Sequence, residues 1–228
     1  MLTLHHLENS RSQRILWLLE ELGVEYQLKC YARDPETSLA PPELTSIHPL
    51  GKSPVITDGD LTVAESGAII EYLVERYDDG ALRPVAGTPE RLQYTYWLHY
   101  AEGSFMPLMI ISLIVGRIET APMPFFAKPV ARGIVAKVRG GYLDPNVQRH
   151  LSFMNETVAD GRWFCGDKIT AADIQMSFAL EAAEVRTSLS SEFPNLADIL
   201  VRMRARPAYQ RALEKGGPYE LLAAGNRK

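Results

Sequence analysis

The sequence predicts a small α/β domain followed by an all-helical domain. Three observations predict it. Strand and helix patterns alternate through residues 1–80. A break rich in Asp, Gly and Pro follows at 78–80 and 84–89. Beyond the break every apolar pattern has helical spacing and none reads as a strand. We therefore expect domains at 1–80 and 88–222, joined by a short linker.

The elements follow in order. LTLHHL at 2–7 is a short apolar strand. In SQRILWLLEEL, residues Ile15, Leu16, Leu18, Leu19 and Leu22 recur at helical spacing, and Gly23 supplies the stop. Residues 25–31 alternate as a second strand. A helix joins these two strands, so they should run parallel with a right-handed crossover. Pro41-Pro42-Glu43 opens a short helical turn. Val55-Ile56 and Leu61-Thr62-Val63 flank Asp58-Gly59-Asp60 and so form a hairpin. A helix over 66–77 buries Ile69, Ile70, Tyr72, Leu73 and Tyr77. The order is β-α-β-α-β-β-α.

Beyond the linker, a long helix is expected over 88–117. A second spans 122–160, bent at Gly140-Gly141 or at Pro145. A third spans 170–187. It opens with Ile169-Thr170-Ala171-Ala172-Asp173-Ile174, a capping motif with Thr170 as N-cap, Asp173 three residues on and isoleucines as the staple. Trp163, Phe164 and Cys165 beside it read as core. Shorter helices follow Pro194 and Pro207, and 223–228 should fray.

Composition removes several functions. The 228 residues carry a net charge of −4, with 46% apolar and 23% charged residues. That balance leaves no electrostatic footprint for nucleic acid. No uninterrupted apolar run approaches the ~20 residues of a membrane span. The first residues lack the basic-then-apolar order of a signal peptide. A cytoplasmic protein is expected. Cys30 and Cys165 offer neither a disulfide framework nor metal-ligand spacing, so no metal is expected.

Pro54 stands at the start of a strand, where its missing N–H is tolerated. A small domain of this element order with proline there resembles the thioredoxin fold. Joined to an all-helical domain, it resembles the soluble glutathione transferases along essentially the whole chain. Four segments carry the resemblance. They are Asn9-Ser10-Arg11-Ser12 before the first helix, His48-Pro49-Leu50-Gly51-Lys52-Ser53-Pro54-Val55-Ile56, Ala64-Glu65-Ser66-Gly67-Ala68-Ile69, and Phe164-Cys165-Gly166-Asp167-Lys168-Ile169-Thr170-Ala171-Ala172-Asp173. LENSRSQRILWLLEELGVEY is most similar to bacterial and fungal members of serine type. The resemblance implies a homodimeric detoxification enzyme. It would transfer the thiolate of glutathione, its co-substrate, to a hydrophobic electrophile or a peroxide.

The resemblance also implies site residues. The bond before Pro54 should be cis and should present the Ser53 backbone to the cysteinyl part of glutathione. Lys52 would reach the glycyl carboxylate, helped by His48. Ser66 would take the γ-glutamyl carboxylate at a helix N-terminus, and Glu65 the ammonium. Ser66 also reads as a plain helix cap. The sulfur should lie at the turn 9–12. A free thiol titrates near ~8.5, so at neutral pH it needs a donor and a helix N-terminus to hold it as thiolate. Ser10 is the first candidate donor, with Asn9, Arg11 and Ser12 as alternatives, Ser12 being the simple N-cap. No cysteine or tyrosine stands in this turn, unlike the branches that use them. The second-substrate pocket is expected along the long helix, at Tyr94, Leu98, Tyr100, Ser104, Phe105, Met109 and Leu113. The same stripe fits bundle core. The segment 218–222 would fold over it. Two other readings stay open: a non-catalytic glutathione-binding stress protein, and a glutathione-dependent disulfide reductase.

Overall fold

The computed structural model describes residues 1–217 and Tyr219. Its sheet is built around β1 (Leu2–Leu7), a strand with partners on both sides. β2 (Gln27–Tyr31), β3 (Val55–Asp58) and β4 (Leu61–Ala64) complete the order β2-β1-β3-β4. β1 runs parallel to β2, pairing Leu4 with Leu28. It runs antiparallel to β3, pairing Leu4 with Ile56. β3 and β4 form the expected hairpin, with Val55 opposite Ala64. β2 begins two residues later than its alternation suggests.

α1 (Ser12–Leu22) and α3 (Ser66–Tyr77) pack against each other and against the sheet. The short α2 (Glu43–Ile47) places Leu44 against Leu7 and Tyr31. Residues 12–20 of α1 are buried without interruption. A helix buried all round needs partners on every side. The helices beyond residue 88 supply them: α8 (Ala171–Arg186) and α11 (Pro207–Gly216) both pack on α1.

The expected helix at 88–117 divides. α4 (Pro89–Tyr100) passes through a π-helical turn at Ala101–Phe105 into α5 (Met106–Thr120). Pro107 has no N–H to give the carbonyl four residues back, at Gly103, so the regular ladder cannot continue. The expected helix at 122–160 divides in the same way. α6 (Lys128–Val138) and α7 (Asp144–Thr157) flank a π turn at Arg139–Leu143, which contains Gly140 and Gly141 and precedes Pro145. α9 (Leu189–Glu192) adds a short helix that the apolar spacing does not mark. α10 (Pro194–Arg204) and α11 each begin on proline, where the missing N–H costs nothing. By length and composition the run Pro89–Thr120 could cross a bilayer, with a window of mean hydropathy 1.5. Here it packs against α8 and α6 as a helix of the bundle. Apart from Tyr219, the expected fold-over at 218–222 and the expected fraying at 223–228 lie outside the described residues.

The start of α8 is fixed by Asp173. Its carboxylate accepts the Thr170 N–H at 2.7 Å, the Thr170 hydroxyl at 2.9 Å and the Phe164 N–H at 2.8 Å. Burial pushes this carboxyl up to about 6, against the pull of those donors. Phe164 and Cys165 are core, as expected, while Trp163 is half-buried. Replacing Asp173 with Ala leaves the buried Phe164 and Thr170 N–H groups unpaired and the Thr170 hydroxyl with only Cys165 Sγ, at 3.4 Å. We expect a loss of ~3–5 kcal/mol, the scale for breaking a buried charged network, read as a fall in the urea midpoint. A loss under ~1 kcal/mol would show that solvent replaces the carboxylate.

Candidate active site

The site forms where three chain segments end: the loop before β3, the turn into α3 and the turn from β1 into α1. Gly51 makes the first possible. Its φ is 56°, and a Cβ there would lie 2.7 Å from Thr45 Cγ2. The loop then delivers Lys52, Ser53 and Pro54, with a cis Ser53–Pro54 bond as expected. The Ser53 hydroxyl donates to the His5 carbonyl at 2.8 Å and accepts the Leu7 N–H at 3.2 Å. This ties the loop to β1. The backbone N–H and C=O of Ser53 bond nothing among the described residues, so an extended ligand can pair with them as an added strand.

Glu65 adopts φ 72° and ψ 123°, a conformation disfavoured for residues other than glycine. It occupies the cap position of α3 but caps no helix N–H. Ser66 is the first helical residue rather than the cap that its sequence position suggests. It is buried, and its hydroxyl has no partner among the described residues. The strained turn therefore leaves the first N–H groups of α3 free for an anion. His48, Lys52, Ser53, Pro54, Glu65 and Ser66 line one cavity of about 230 Å³. Among the described residues, the His48 ring makes a single hydrogen bond, accepted from the Leu50 N–H at 3.4 Å.

Arg11 and Glu102 close the same cavity. Glu102, from the π turn, pairs with Arg11 at 3.1 Å and with the buried Arg14. Burial pushes the Glu102 carboxyl up, but the two guanidinium groups outweigh it and hold it below its usual range. Glu102 is a site residue that sequence spacing does not reveal, because nothing there marks the π turn that aims it.

The turn 9–12 has an internal order. The His6 Nε2 lies 3.1 Å from the Gly216 carbonyl and so carries the ring proton. His6 Nδ1 is then an acceptor, and the Ser12 hydroxyl at 2.9 Å donates to it. Burial pulls the His6 pKa down, consistent with this neutral ring. With the Ser12 proton directed at His6, the Ser10 hydroxyl donates inward, to Ser12 Oγ at 2.7 Å and the Leu7 carbonyl at 2.8 Å, which share its proton. Its single proton thus points into the protein. Ser12 is fully buried and lines none of the cavities described here, which removes it from contact with a ligand. It is also the first residue of α1, not its cap, since Arg11 holds that position. Asn9, at φ 50°, Ser10 and Arg11 line a second cavity of about 600 Å³, which shares Arg11, Leu50, Lys52 and Ser53 with the first.

The expected second-substrate stripe is mostly core. Tyr94, Leu98, Tyr100, Phe105 and Met109 are buried and line none of these cavities. Ser104 is exposed and lines none either. Leu113 alone from that group reaches a cavity, of about 510 Å³, where it meets Asn9, Arg33, Arg117, Phe178 and Arg186. The face of α5 that lines this cavity, with Leu113 and Arg117, lies around the helix from the face that the apolar spacing marks. Among the described residues, no group of three or more His, Cys, Asp or Glu could hold a metal.

Comparison with known proteins identifies the family. The profile of the glutathione S-transferase N-terminal domain matches residues 1–75, and that of the glutathione S-transferase C-terminal domain matches 142–207. The chain belongs to the glutathione S-transferase family. Glutathione conjugation is the activity that membership carries, with glutathione as substrate. Among its relatives, glutathione S-transferase 3 of Schizosaccharomyces pombe is 35% identical over 94% of this chain and 88% of that protein. Glutathione S-transferase 1 of Saccharomyces cerevisiae is 31% identical over 94% and 95%. A crystal structure of a glutathione S-transferase from Actinobacillus pleuropneumoniae superposes with a TM-score of 0.82 and 34% identity, covering 97% of this chain and 96% of that one.

The positive φ of Glu65 yields a stability prediction. Glycine there relieves the backbone, so Glu65→Gly should raise stability by ~1 kcal/mol, the low end for a residue held in such a region. Equilibrium unfolding checks it, and a destabilised variant would place the strain elsewhere.

Proposed function

We propose that glutathione lies extended across the cleft, with each end held by a different charge. Its γ-glutamyl carboxylate meets the Ser66 hydroxyl and the free N–H groups of α3. The ammonium meets Glu65. The cysteinyl backbone pairs with Ser53 beside Pro54, and Lys52, with His48, takes the glycyl carboxylate. The observation that carries this reading is the gathering of these six residues around one cavity. Glu65→Gly and Ser66→Ala should each weaken glutathione binding by ~1.5–3 kcal/mol, the scale for hydrogen bonds to charged groups. Calorimetry with unchanged affinity in both variants would remove the site.

In this pose the sulfur reaches the turn 9–11. The thiolate attacks an electrophilic carbon, forming the C–S bond, while the leaving group departs with the bonding pair. Peroxides are alternative acceptors. Ser10 as donor would have to release the Leu7 carbonyl. We place the donor at Asn9, whose left-handed backbone sets it between the second and third cavities. The N-terminus of α1 assists. Asn9→Ala should then raise the pKa of bound glutathione and lower kcat at neutral pH by about 10²–10³, the scale for losing one such donor. Ser10→Ala should shift the thiolate absorbance titration less. The reverse order would return the role to Ser10.

The reading includes a cytoplasmic homodimer, with domains at 1–80 and 88–222. Ile110, Ile114 and Ile118 form an exposed stripe along α5, and such a face needs a partner. The N-terminal domain of one subunit would meet the helical domain of the other across a two-fold axis. Sedimentation should show a dimer at micromolar concentration; a monomer would contradict it.

A further inference from the structure

The third cavity is cationic. Arg33, Arg117 and Arg186 come from separate elements and line it together with Leu113 and Phe178. Such a wall ordinarily carries matching carboxylates. Two acids, Glu8 and Asp34, also line it, so the wall carries three guanidinium groups against two carboxylates, and both carboxylates are held by neutral donors rather than by a guanidinium. Glu8 accepts the Arg33 backbone N–H at 2.7 Å. Asp34 accepts the N–H groups of Glu36 and Thr37 and the Thr37 hydroxyl, closing its own turn. Among the described residues no carboxylate forms an ion pair with Arg33, Arg117 or Arg186.

The three guanidinium groups differ in freedom. Arg33 gives its donors to the carbonyls of Glu8, Asn9 and Ser38 and is fixed. Arg186 gives one donor to the Met109 carbonyl at 3.2 Å and keeps the rest. The Arg117 side chain makes no hydrogen bond among the described residues and is exposed at the cavity rim. Burial, and then the like charges of Arg11 and Arg117, push Arg186 below its ordinary value. Like charges brought together in a cleft with spare donors are relieved by an anion, which guanidinium binds through paired N–H groups. Asn9 lines the same cavity, so the anion would sit beside the place assigned to the sulfur.

We propose that the second substrate carries a carboxylate or comparable anionic group, held by Arg117 and Arg186, with its apolar body against Phe178 and Leu113. This rests on the glutathione reading above and makes it more specific: the electrophile is amphipathic rather than purely apolar. The conjugation itself needs no extra reactant.

Unreactive probes separate the two readings. Protein saturated with glutathione is titrated calorimetrically with dinitrobenzoate and with dinitrobenzamide, which share a ring and differ in charge. In the 3,5-dinitro isomers used, neither ring carries a halide or a nitro group activated from an ortho or para position, so binding is read without turnover, and saturation with glutathione keeps the acid out of its cleft. The benzoate should bind at least tenfold tighter than the amide at low salt. That ratio should fall below about threefold in Arg117→Gln and in Arg186→Gln, and Arg117→Lys should retain it. Arg117 is exposed, so its variants test the idea even if Arg186→Gln fails to fold. Equal affinity for acid and amide, or a ratio unmoved by Arg117→Gln, overturns the proposal and leaves glutathione conjugation standing.

Discussion

The buried guanidinium of Arg14 is the contact on which the site's geometry depends. It lies on α1 with its side chain wholly inside the protein. Nη1 donates to the Gln175 carbonyl of α8 at 2.7 Å, and Nη2 meets Glu102 from the π turn. A buried charge is tolerable only with such partners, because its desolvation alone costs several kcal/mol. Glu102 then holds Arg11 at the cavity wall. One residue thereby fixes α1, α8 and the π turn relative to each other. The turn 9–11 sits at the start of the same helix, so that turn and the wall opposite it share one anchor.

A second set of contacts holds the far end of α1 to α11. Glu20 pairs with Arg211 and Lys215, and Glu21 with Arg206. These pairs are partly exposed, and each contributes ~0–1 kcal/mol. The packing beneath them matters more. Trp17 meets Tyr209 edge to face at 5.1 Å. Tyr209 and Tyr219 both donate to the buried Glu181. Gly216 lies so close to α1 that a Cβ there would stand 2.6 Å from the Gln13 side chain. The Gly216 carbonyl is also the acceptor that sets the His6 tautomer. The proton order in the Ser12 and Ser10 hydroxyls therefore depends on how α11 docks, far along the chain.

Much of this was legible in the sequence, and the reason is local physics. Alternation marks the strands, and β1 and β2 run parallel because a helix joins them. The Thr170–Asp173 motif marks the start of α8, and the prolines mark α10 and α11. Lys52, Ser53, Glu65 and Ser66, which line one cavity, each lie in a short contiguous motif. The misplacements share a cause as well. Tyr94, Phe105 and Met109 carry the apolar spacing that identifies a buried face, and a buried face is not a pocket wall. Phe178 and Arg186 reach the cavity from α8, far from α4 in sequence order, and no spacing rule connects them. Ser66 displaced from the cap position reflects a strained Glu65, which residue type alone does not announce.

The two π turns show how a weak local signal becomes a functional one. The first closes on a bond from the Met106 N–H to the Ala101 carbonyl, and proline follows at 107. The second closes on a bond from the Asp144 N–H to the Arg139 carbonyl, and proline follows at 145. In both, a glycine lies within the turn and proline directly follows the residue whose N–H closes it. Proline removes the donor that would extend the regular ladder, and the wider turn absorbs the extra residue. In the first case the turn aims Glu102 into the cleft. The first cavity then presents both signs of charge, Lys52 and Arg11 against Glu65 and Glu102, the complement of the ligand proposed for it. The third cavity, close by, has arginines with no paired carboxylate among the described residues. Two neighbouring pockets on one scaffold thus differ in the ligand proposed for each: a zwitterion in the first cavity, and an anion with an apolar body in the third.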